Sequence, residues 1–506
     1  MRVTLLSAAL AASLVNPAVA HDRKTRNFIY VVPDGFGPAS QTLARDYLNI
    51  INGNGTAARP NSAAIGADSI VIGNVRTQSS DGLITDSAAS ATAFSSGHKT
   101  YNGAIGVDDD VKPLGSILEA AHMSGFKTGL IATSRITHAT PGAYAAHVAF
   151  RDSENDIANH QIGFTHPLGS VVDLLLGGGR RHYLPKKEGG VRTDDVNLIN
   201  WAKGKGFKYA SDKSDFAEYT KGNGIVPLPF LGLFASSHMD YEMDRNPEKQ
   251  PSLLEMTQVA LKTLGKASSK SKNGYFIMIE ASRIDHAAHA NDIAAHVHDI
   301  LMYNEVIAYL KKFVSQNPDT QLISAADHET GGITLIDKYN PAVLAKATQS
   351  TEYLEAKFSK YEGSDKAAFL KSTILPAYGL TNASDADVDR YMGIFKKDGV
   401  TKMGIAILHD FAESAGINWS TDYHSAVDVV LYGFAVGNAL TQMKQQIGRN
   451  VNNIELPRYI EKVLGVSLDK TTQALRKNGT DWVGKNPKAA KREAMEAAAN
   501  HLHGHH

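Results

Sequence analysis

The chain has 506 residues, with 52 Lys or Arg and 52 Asp or Glu, so its net charge is zero when histidine is neutral. This balance gives no indication of a nucleic-acid-binding or membrane-surface protein. The chain has no cysteine, which excludes disulfides, thiolate metal sites and a thiol nucleophile. Any transition metal must therefore be held by histidine, carboxylate or hydroxyl groups.

The first twenty residues have the pattern of a secretory signal peptide. Arg2 precedes a short apolar run from Val3 to Val15, and Ala18-Val19-Ala20 is a small-x-small cleavage motif. The run is too short to span a bilayer, and an uncleaved anchor is the less favoured alternative. We therefore expect residues 1–20 to be removed, leaving a secreted or periplasmic protein without a membrane anchor.

Short apolar runs alternate with helical patterns along the rest of the chain. The runs are rich in β-branched and aromatic residues, which is typical of strands buried on both faces of a parallel sheet. The predicted strands are Phe28–Val32, Thr128–Thr133, Val171–Leu176, Tyr275–Glu280, Gln321–Asp327 and Val427–Phe434. The predicted helices include Leu114–Gly125, Ser252–Leu264 and one long helix from about Asp285 to Phe313. This alternation predicts a layered α/β sheet.

The domain organisation follows from where this pattern weakens. We predict one α/β domain over residues 21–485, with a cap inserted at about 333–422, where turn signals and short helical pieces replace the strands. Residues 486–506 are rich in Ala, Lys and Glu and end in a histidine-rich stretch. We expect a solvated helical tail there, with metal binding by its histidines as the less favoured alternative.

The Ala-rich stretch Thr85–Gly97 predicts a helix that other elements can approach closely. Thr85 and Asp86 are suitable N-terminal residues for it. Ser87 then falls in the first turn, where backbone N–H groups and the helix dipole favour an alkoxide or a phosphoryl group. A serine hydroxyl still needs a base or a metal to become a nucleophile, and Ser87 lies in no G-x-S-x-G motif. This stretch alone therefore favours an ordinary first-turn serine.

Three predicted strands end in a carboxylate: Asp34, Glu280 and Asp327. Ligands gather at the carboxyl ends of strands in open α/β sheets, so we expect these side chains at one edge of the sheet. Gathered there, they repel each other unless cations are present. A single aspartate of this kind is more often a helix cap, but the three together favour metal binding.

Histidines near these positions strengthen the prediction of a metal site. Asp285 and His289 are four residues apart, so a helix places both on one face, where they can hold one ion. Asp327 and His328 are adjacent at a strand end, and His424 lies just before the last predicted strand. Taken alone, Asp285 and His289 could also be an ordinary surface pair.

The segment Thr85-Asp86-Ser87-Ala88-Ala89-Ser90-Ala91-Thr92-Ala93 resembles the phosphoserine signature of the alkaline phosphatases. Further blocks resemble the family pattern in the same order, at Val31–Gly35, Gly177–Arg180, Glu280–His289 and Ala326–Gly332. The resemblance runs from about residue 27 to about residue 437 and is weak only within the insertion. It implies a three-layer α/β/α sandwich around a large, mostly parallel central sheet, with a cap or crown insertion, and a homodimer.

The resemblance also implies three metal ions and a phosphate clamp. The first zinc would be held by Asp285, His289 and His424, the second zinc by Asp34, Asp327, His328 and the Ser87 oxygen, and a magnesium by Asp34, Glu280 and Thr140. Arg151 matches the arginine that clamps phosphate, with a surface salt-bridge arginine as the alternative. His138 and His286 occupy positions at which family members vary. Their side chains would contact the substrate or a metal through water. Because both are histidine here, the identity of the third ion stays open.

The activity that the resemblance implies is hydrolysis of small phosphate monoesters to an alcohol and inorganic phosphate. Ser87 would attack the phosphoryl group and form a phosphoserine, which water activated at the first zinc would then hydrolyse. Arg151 would neutralise the equatorial oxygens. We expect no specific nucleic-acid ligand and no membrane partner.

Rival functions exist within the same superfamily and outside it. A phosphodiesterase or nucleotide pyrophosphatase would be expected to lack Arg151 and the magnesium ligands Thr140 and Glu280. A sulfatase needs C/S-x-P-x-R at its nucleophile, which Ser87 lacks. A non-catalytic zinc-binding protein makes no use of Ser87, and a metal-free serine hydrolase would be insensitive to chelation.

Overall fold

The computed structural model describes residues 24–483. The predicted signal peptide and the predicted tail from residue 486 onward lie outside this range. Among the described residues, no helix has both the length and the apolar character needed to cross a bilayer.

The centre of the fold is a ten-stranded sheet, accompanied by two small two-stranded sheets. In chain order the strands are β1 (Asn27–Pro33), β2 (Val71–Arg76), β3 (Lys127–Arg135), β4 (Leu174–Gly178), β5 (Lys208–Ala210), β6 (Phe230–Leu233), β7 (Tyr275–Ala281), β8 (Thr320–Ala325), β9 (Glu329–Thr330), β10 (Thr334–Leu335), β11 (Ile417–Asn418), β12 (His424–Ser425), β13 (Val429–Phe434) and β14 (Asn450–Asn452). The order across the large sheet is β14-β2-β13-β8-β1-β7-β3-β4-β6-β5. Only β13 runs antiparallel to its neighbours, β2 and β8, so the sheet is mostly parallel, as predicted.

Helices pack on both faces of this sheet. In chain order they are α1 (Pro38–Ile51), α2 (Ser87–Ser96), α3 (Ile117–Met123), α4 (Ala139–Gly142), α5 (Glu154–Gln161), α6 (Leu198–Gly204), α7 (Lys213–Thr220), α8 (Leu253–Ser268), α9 (Arg283–His289), α10 (Ile293–Gln316), α11 (Thr351–Ser359), α12 (Lys366–Phe369), α13 (Leu375–Ala377), α14 (Asp385–Ser414), α15 (Asn438–Ile447), α16 (Glu455–Leu464) and α17 (Leu468–Arg476). Helix α10 contacts α1 and α8 in one layer, and α2, α3, α16 and α17 contact one another in another. The three-layer α/β/α sandwich is confirmed.

The predicted long helix from about Asp285 to Phe313 is wrong in one respect, because the structure has two helices there. Helix α9 ends at His289, and Asn291 then adopts a φ of 54°, a left-handed conformation that Asn tolerates better than most residues. Asp292 starts α10 by accepting a hydrogen bond from the Ala295 amide at 3.0 Å. The short helix α9 can therefore take its own direction at the edge of the sheet.

The segment between β10 and β11 leaves the main sheet. Helices α11 to α14 surround a separate apolar core, whose buried members include Leu354, Phe358, Leu370, Leu375, Tyr391, Met403 and Ile407. The pairing of β10 with β11 closes this segment at its base. The pairing of β12 with β9 then places His424 opposite Thr330. The chain thus returns from the cap to the end of β8.

Candidate active site

Ser87 is the first residue of α2 and lies close to the end of β8. Asp86 caps the helix, because its Oδ1 accepts a hydrogen bond from the Ala89 amide at 2.9 Å. Ser90 Oγ donates to the Asp327 carbonyl oxygen at 2.8 Å, which holds α2 against the strand end. The small side chains of α2 allow this approach, and all ten of its residues are buried. Ser87 therefore occupies the first turn of a buried helix.

The carboxylates that follow β1 and β8 and that end β7 meet at one edge of the sheet. Strand β1 pairs with β7 on one side and with β8 on the other, and Asp34, Glu280 and Asp327 are all fully buried. Among the described residues, no group donates a hydrogen bond to either oxygen of Asp34 or to Oδ2 of Asp327. Buried carboxylates without donors are costly unless a cation neutralises them.

Burial and mutual repulsion raise the pKa of each of these carboxyl groups. Burial, and then the charge of Asp327, raise the pKa of Asp34 well above its ordinary value. Burial, and then Asp285, raise the pKa of Asp327 to about 6. Burial also raises the pKa of Glu280 to about 7, against hydrogen bonds from neighbouring hydroxyls that lower it. A divalent cation among them would keep all three ionised.

Asp285, His289 and His424 form the first group of candidate metal ligands. His289 Nε2 lies 3.3 Å from Asp285 Oδ1 and 3.0 Å from His424 Nε2. The Nδ1 atoms of both rings face carbonyl oxygens, that of Asp422 at 2.6 Å and that of Thr85 at 2.8 Å. A carbonyl oxygen only accepts, so both Nδ1 atoms carry hydrogens and both neutral rings turn an Nε2 lone pair toward Asp285. This is the arrangement of histidines that bind a metal.

Asp34, Asp327 and His328 form the second group. His328 Nε2 lies 3.3 Å from Asp327 Oδ2 and 3.7 Å from Asp34 Oδ1. It also lies 3.1 Å from Ser87 Oγ. Thr330 Oγ1 donates to Asp285 at 2.6 Å and so accepts from His328 Nδ1, at 3.1 Å. The lone pair of His328 Nε2 therefore faces the serine and the two carboxylates.

The third group consists of Asp34, His138 and Glu280, whose ligand atoms lie within 4.8 Å of one another. Ser134 Oγ donates to Glu280 Oε2 at 3.1 Å, which orients that carboxylate. Thr140, in the short helix α4, is fully buried in the same region. The structure therefore brings together the residues that the sequence assigned to the third ion.

Arg151 forms an ion pair with Asp86, the residue before Ser87. Its Nη1 donates to Asp86 Oδ2 at 3.0 Å, and its Nη2 donates to His138 Nε2 at 3.2 Å. Asp86 Oδ2 also accepts from the Gly103 amide at 3.0 Å. Because Asp86 directly precedes Ser87, these contacts hold the guanidinium beside the serine. Only 11% of the Arg151 side chain is exposed, so its ion pair with Asp86 lies within the site rather than on the open surface.

His286 belongs to a set of three histidines beside these groups. His138 and His286 are predicted from the sequence, and their ring centroids lie 5.4 Å apart. The third, His238, lies 4.2 Å from His286 and 5.4 Å from His138. Arg283 Nη1 donates to His286 Nδ1 at 2.9 Å, so His286 carries its hydrogen on Nε2. Sequence reasoning missed His238 and Arg283, because His238 follows β6 in a loop without a recognisable motif.

Comparison with known proteins agrees with this geometry. The family model described as alkaline phosphatase matches residues 25–466. The repressible alkaline phosphatase of Saccharomyces cerevisiae is 39% identical over 503 residues, which cover 94% of this chain and 87% of that protein. The alkaline phosphatase of Thermus thermophilus superposes with a TM-score of 0.74 at 27% identity, covering 90% of this chain and 96% of that one.

A second solved structure has a similar fold. It is a TAB5 alkaline phosphatase mutant in which aspartate replaces a histidine, with Mg bound in the M3 site. It superposes with a TM-score of 0.60 at 26% identity, covering 88% of this chain and 99% of that one. The family match over most of the chain, together with the serine and the ligand groups at the sheet edge, shows that this protein belongs to the alkaline phosphatase family and is a metal-dependent phosphomonoester hydrolase.

Proposed function

We propose that Ser87 is the nucleophile of this phosphatase and that the groups around it hold two zinc ions and one magnesium ion. The observation that carries the proposal is the 3.1 Å separation between Ser87 Oγ and His328 Nε2. Thr330 fixes the lone pair of that nitrogen toward the serine, and Asp34 and Asp327 flank it. A cation held by these ligands would lie within reach of the hydroxyl oxygen.

Zinc suits the first two groups because each combines imidazole nitrogen with carboxylate oxygen. When bound, such ions favour the alkoxide of Ser87, ionise water and stabilise the two apical oxygens of an in-line displacement. The donor-free oxygens of Asp34 and Asp327 and the converging lone pairs of His289 and His424 support this assignment.

The reaction consists of two successive displacements at the phosphorus atom. Ser87 Oγ bonds to phosphorus as the bond to the alcohol oxygen breaks, and water then displaces the seryl oxygen to release phosphate. The first-turn amides and the dipole of α2 favour the phosphoryl oxygens. Arg151, held by Asp86 and His138, donates N–H groups to the equatorial oxygens. A monoester presents three free equatorial oxygens and a diester only two, which supports a preference for monoesters over diesters.

We propose magnesium for the third group. Its oxygen ligands, Asp34, Glu280 and Thr140, suit a hard cation. His138 Nε2 accepts a hydrogen bond from Arg151, so this ring is engaged with the phosphate clamp. The TAB5 mutant binds Mg in its M3 site after an aspartate replaces a histidine. Because the third group here includes His138, a softer ion is the alternative to magnesium at this position.

We also propose that the chain is cleaved after Ala20, exported, and assembled as a homodimer that acts on small phosphate monoesters. Export rests on the pattern of residues 1–20, and the homodimer rests on the family resemblance. N-terminal sequencing of the exported protein tests cleavage, and sedimentation equilibrium tests the dimer. A mature chain that still begins at Met1, or a monomer at micromolar concentration, would refute these two points separately.

The test of the activity compares p-nitrophenyl phosphate with bis-p-nitrophenyl phosphate. We expect the monoester to be preferred, chelation to abolish turnover, and zinc with magnesium to restore it. Preference for the diester would favour a phosphodiesterase or nucleotide pyrophosphatase. Absence of all hydrolysis by the metal-loaded protein would favour a non-catalytic zinc-binding protein.

The contact between Ser87 and His328 would also suit a metal-free serine–histidine pair. Burial, however, lowers the pKa of His328 to about 4, which makes a weak general base. Its Nδ1 faces the Thr330 hydroxyl rather than a carboxylate. Activity that survives exhaustive chelation would support this second candidate.

A further inference from the structure

A second histidine–carboxylate cluster lies outside the active site, and neither the ligand groups nor the phosphate clamp includes it. Glu119, in α3, contacts His147 and His166, and the side chains of all three are fully buried. The Trp482 ring, near the end of the described chain, lies 5.4 Å from His147 and 5.8 Å from His166 between centroids. His160, in α5, lies 5.9 Å from His166 and 5.3 Å from Trp482. The cluster is therefore closed to water.

Both ring nitrogens of His147 face atoms that only accept hydrogen bonds. Nδ1 lies 2.7 Å from the carbonyl oxygen of Gly106, and Nε2 lies 2.8 Å from Glu119 Oε1. A neutral imidazole has one hydrogen and would turn a lone pair toward one of these oxygens, whereas an imidazolium donates to both. The geometry points to a His147 ring that carries a proton on each nitrogen.

The surroundings of Glu119 agree with a carboxylate rather than a carboxylic acid. The Ser116 amide donates to Oε2 at 2.8 Å, and His166 Nε2 lies 2.8 Å from Oε1. His166 Nδ1 accepts from the Leu168 amide at 3.2 Å, so a neutral His166 carries its hydrogen on Nε2 and donates to Glu119. The Ser116 amide and His166 thus both donate to the carboxylate, which favours its ionised form. A proton on Glu119 would have one acceptor, Nε2 of a neutral His147.

The electrostatics of the cluster favour an ionised Glu119. Burial alone would raise the pKa of Glu119, but the charge of His147 and the hydrogen bonds from His147 and His166 bring it well below its ordinary value. Burial lowers the pKa of both His160 and His166, so these two rings remain neutral. A buried ion pair is stable when its remaining donors and acceptors are satisfied, as they are for Glu119 and His147.

The ion pair lies at one end of residues 147–151, a strip of chain that carries Arg151. Beyond His147, Val148 pairs with Ile105 through backbone hydrogen bonds of 2.9 and 3.1 Å. The Arg151 amide donates to the Gly103 carbonyl at 2.8 Å. Residues 147–151 are therefore tied to residues 103–106 along their length, and the His147–Glu119 pair anchors both segments to α3.

We propose that His147 is a positioning residue, a buried imidazolium that pairs with Glu119 and fixes the strip from which Arg151 reaches the phosphate. The inference rests on the proposed role of Arg151 as the clamp. A carboxylate with two histidines is also a set of atoms that could hold a metal ion. The hydrogen on His166 Nε2 and the 2.8 Å separations favour hydrogen bonds instead, and metal binding is one outcome of the test.

The first test measures the proton directly in the wild-type holoenzyme. In a protein labelled with ¹⁵N-histidine, two-bond ¹H–¹⁵N spectra at pH 8 should show one histidine with both nitrogens protonated, and His147→Gln should remove that signal. Detection of an unprotonated nitrogen on His147 would overturn the proposal. So would the loss of one equivalent of bound metal per chain in Glu119→Gln, since that would identify the cluster as a metal site.

The second test asks whether the pair acts through Arg151. We expect Glu119→Gln to weaken inhibition by inorganic phosphate about tenfold with a smaller loss of kcat, because the clamp is displaced from its productive geometry. His166→Gln, which removes a neutral donor from the same carboxylate, is the matched control and should change phosphate inhibition much less. If Glu119→Gln does not fold, Glu119→Asp, which keeps the charge but retracts it from His147, serves in the same assay.

A double-mutant cycle separates positioning from a general structural role. Adding Glu119→Gln to Arg151→Ala should cause no further loss of phosphate affinity, because the residue that the pair positions is already gone. Additive losses would overturn the inference. If Arg151→Ala itself binds phosphate normally, the proposed clamp fails instead. If Arg151→Ala is impaired and both Glu119 variants bind phosphate like the wild type, only the inference about His147 fails.

Discussion

His289 and His424 turn their Nε2 atoms toward each other across 3.0 Å. The carbonyl oxygens of Asp422 and Thr85 hold the hydrogens of both rings on Nδ1, so two lone pairs face each other beside the carboxylate of Asp285. Lone pairs at this separation repel unless a proton or a cation lies between them. Burial, and then the neighbouring histidines, lower the pKa of His424 to about 3. Burial lowers the pKa of His289, but Asp285 raises it above its ordinary value, so without a metal ion His289 would hold the proton between the rings and a bound cation would replace it.

The variant His424→Ala should therefore lose one zinc per chain. We expect turnover of p-nitrophenyl phosphate to fall about 100-fold, because one ligand of a three-residue site is gone. Metal analysis by mass spectrometry and steady-state kinetics measure the two effects. His298→Ala, a histidine outside the ligand groups, is the control. Retention of all metal by His424→Ala would show that His424 is not a ligand.

The second group should respond in the same way to Asp327→Ala or His328→Ala. Each variant removes a ligand next to Ser87, so we expect loss of the second zinc and most turnover, by about 100-fold or more. Excess zinc should restore part of the activity if the site is weakened rather than destroyed. Zinc titration followed by activity provides this measurement, and unchanged zinc affinity would contradict the assignment.

Replacement of the nucleophile separates chemistry from binding. Ser87→Ala should lower kcat by about 10³-fold or more while the protein retains its metal ions through the other ligands. Ser95→Ala, which removes another buried hydroxyl from α2, should remain active. The assay is turnover of p-nitrophenyl phosphate with metal analysis in parallel, and full activity of Ser87→Ala would refute the role of Ser87.

Arg151→Ala should mainly weaken phosphate binding. A charge-assisted pair of hydrogen bonds is lost, so we expect the inhibition constant for inorganic phosphate to rise about 10- to 100-fold, with a smaller decrease in kcat. Arg180→Ala is the matched control, because Arg180 donates to the carbonyls of Ser211 and Leu233 instead. Normal phosphate inhibition of Arg151→Ala would show that another residue is the clamp.

His138→Asp should change the response to magnesium. The substitution adds a carboxylate oxygen to the third group and removes a ring that contacts Arg151, so we expect tighter magnesium binding and activation by added magnesium. Titration of the zinc-loaded, magnesium-free protein with magnesium, followed by initial rates, measures this. Identical titration curves for wild type and variant would contradict the placement of His138 at the third ion.

The ion pair of Glu154 with Arg135 should make stability depend on pH. Burial raises the pKa of Glu154, but the neighbouring groups lower it from 4.5 to about 2. The largest of these effects comes from Arg135, which donates to the carboxylate at 2.8 and 2.9 Å. His182 and Thr137 lower the pKa further. The stabilisation is present above pH 4.5 and is lost as pH falls toward 2; it amounts to about 3 kcal/mol. Urea unfolding of the metal-free protein measures the free energy of unfolding at each pH. Between pH 4.5 and 2 this free energy should fall less for Glu154→Gln than for the wild type. Parallel plots of unfolding free energy against pH would contradict this expectation.

The sequence predicted the sheet edge well because strand-end carboxylates are a local signal. Asp34, Glu280 and Asp327 can each be read from the apolar run that precedes them, and parallel topology then brings them together. The roles of Thr330 and the Asp422 carbonyl could not be predicted, because they depend on how β12 returns to β9 from the cap. The break after His289 was missed because an Asn-Asp pair within an apolar helical pattern gives only a weak stop signal.

The cluster around Glu119 has no local signal in the sequence. Glu119, His147 and His166 come from three separate elements, and none of them ends a strand or stands in a ligand-like spacing. His238 was missed for a similar reason, since its loop approaches His138 and His286 only through the pairing of β6 with β4. Contacts between distant loops are fixed by tertiary packing, so a single sequence does not reveal them.

The most direct measurement of the central claim is anomalous X-ray diffraction at the zinc edge from crystals soaked with inorganic phosphate. Our account predicts a zinc ion bound by Asp34, Asp327 and His328, with Ser87 Oγ about 2 Å away, and a second zinc between Asp285, His289 and His424. Zinc density at both positions with Ser87 Oγ in bonding contact would establish the nucleophile. A zinc ion elsewhere, or a Ser87 hydroxyl well beyond coordination distance, would contradict the account.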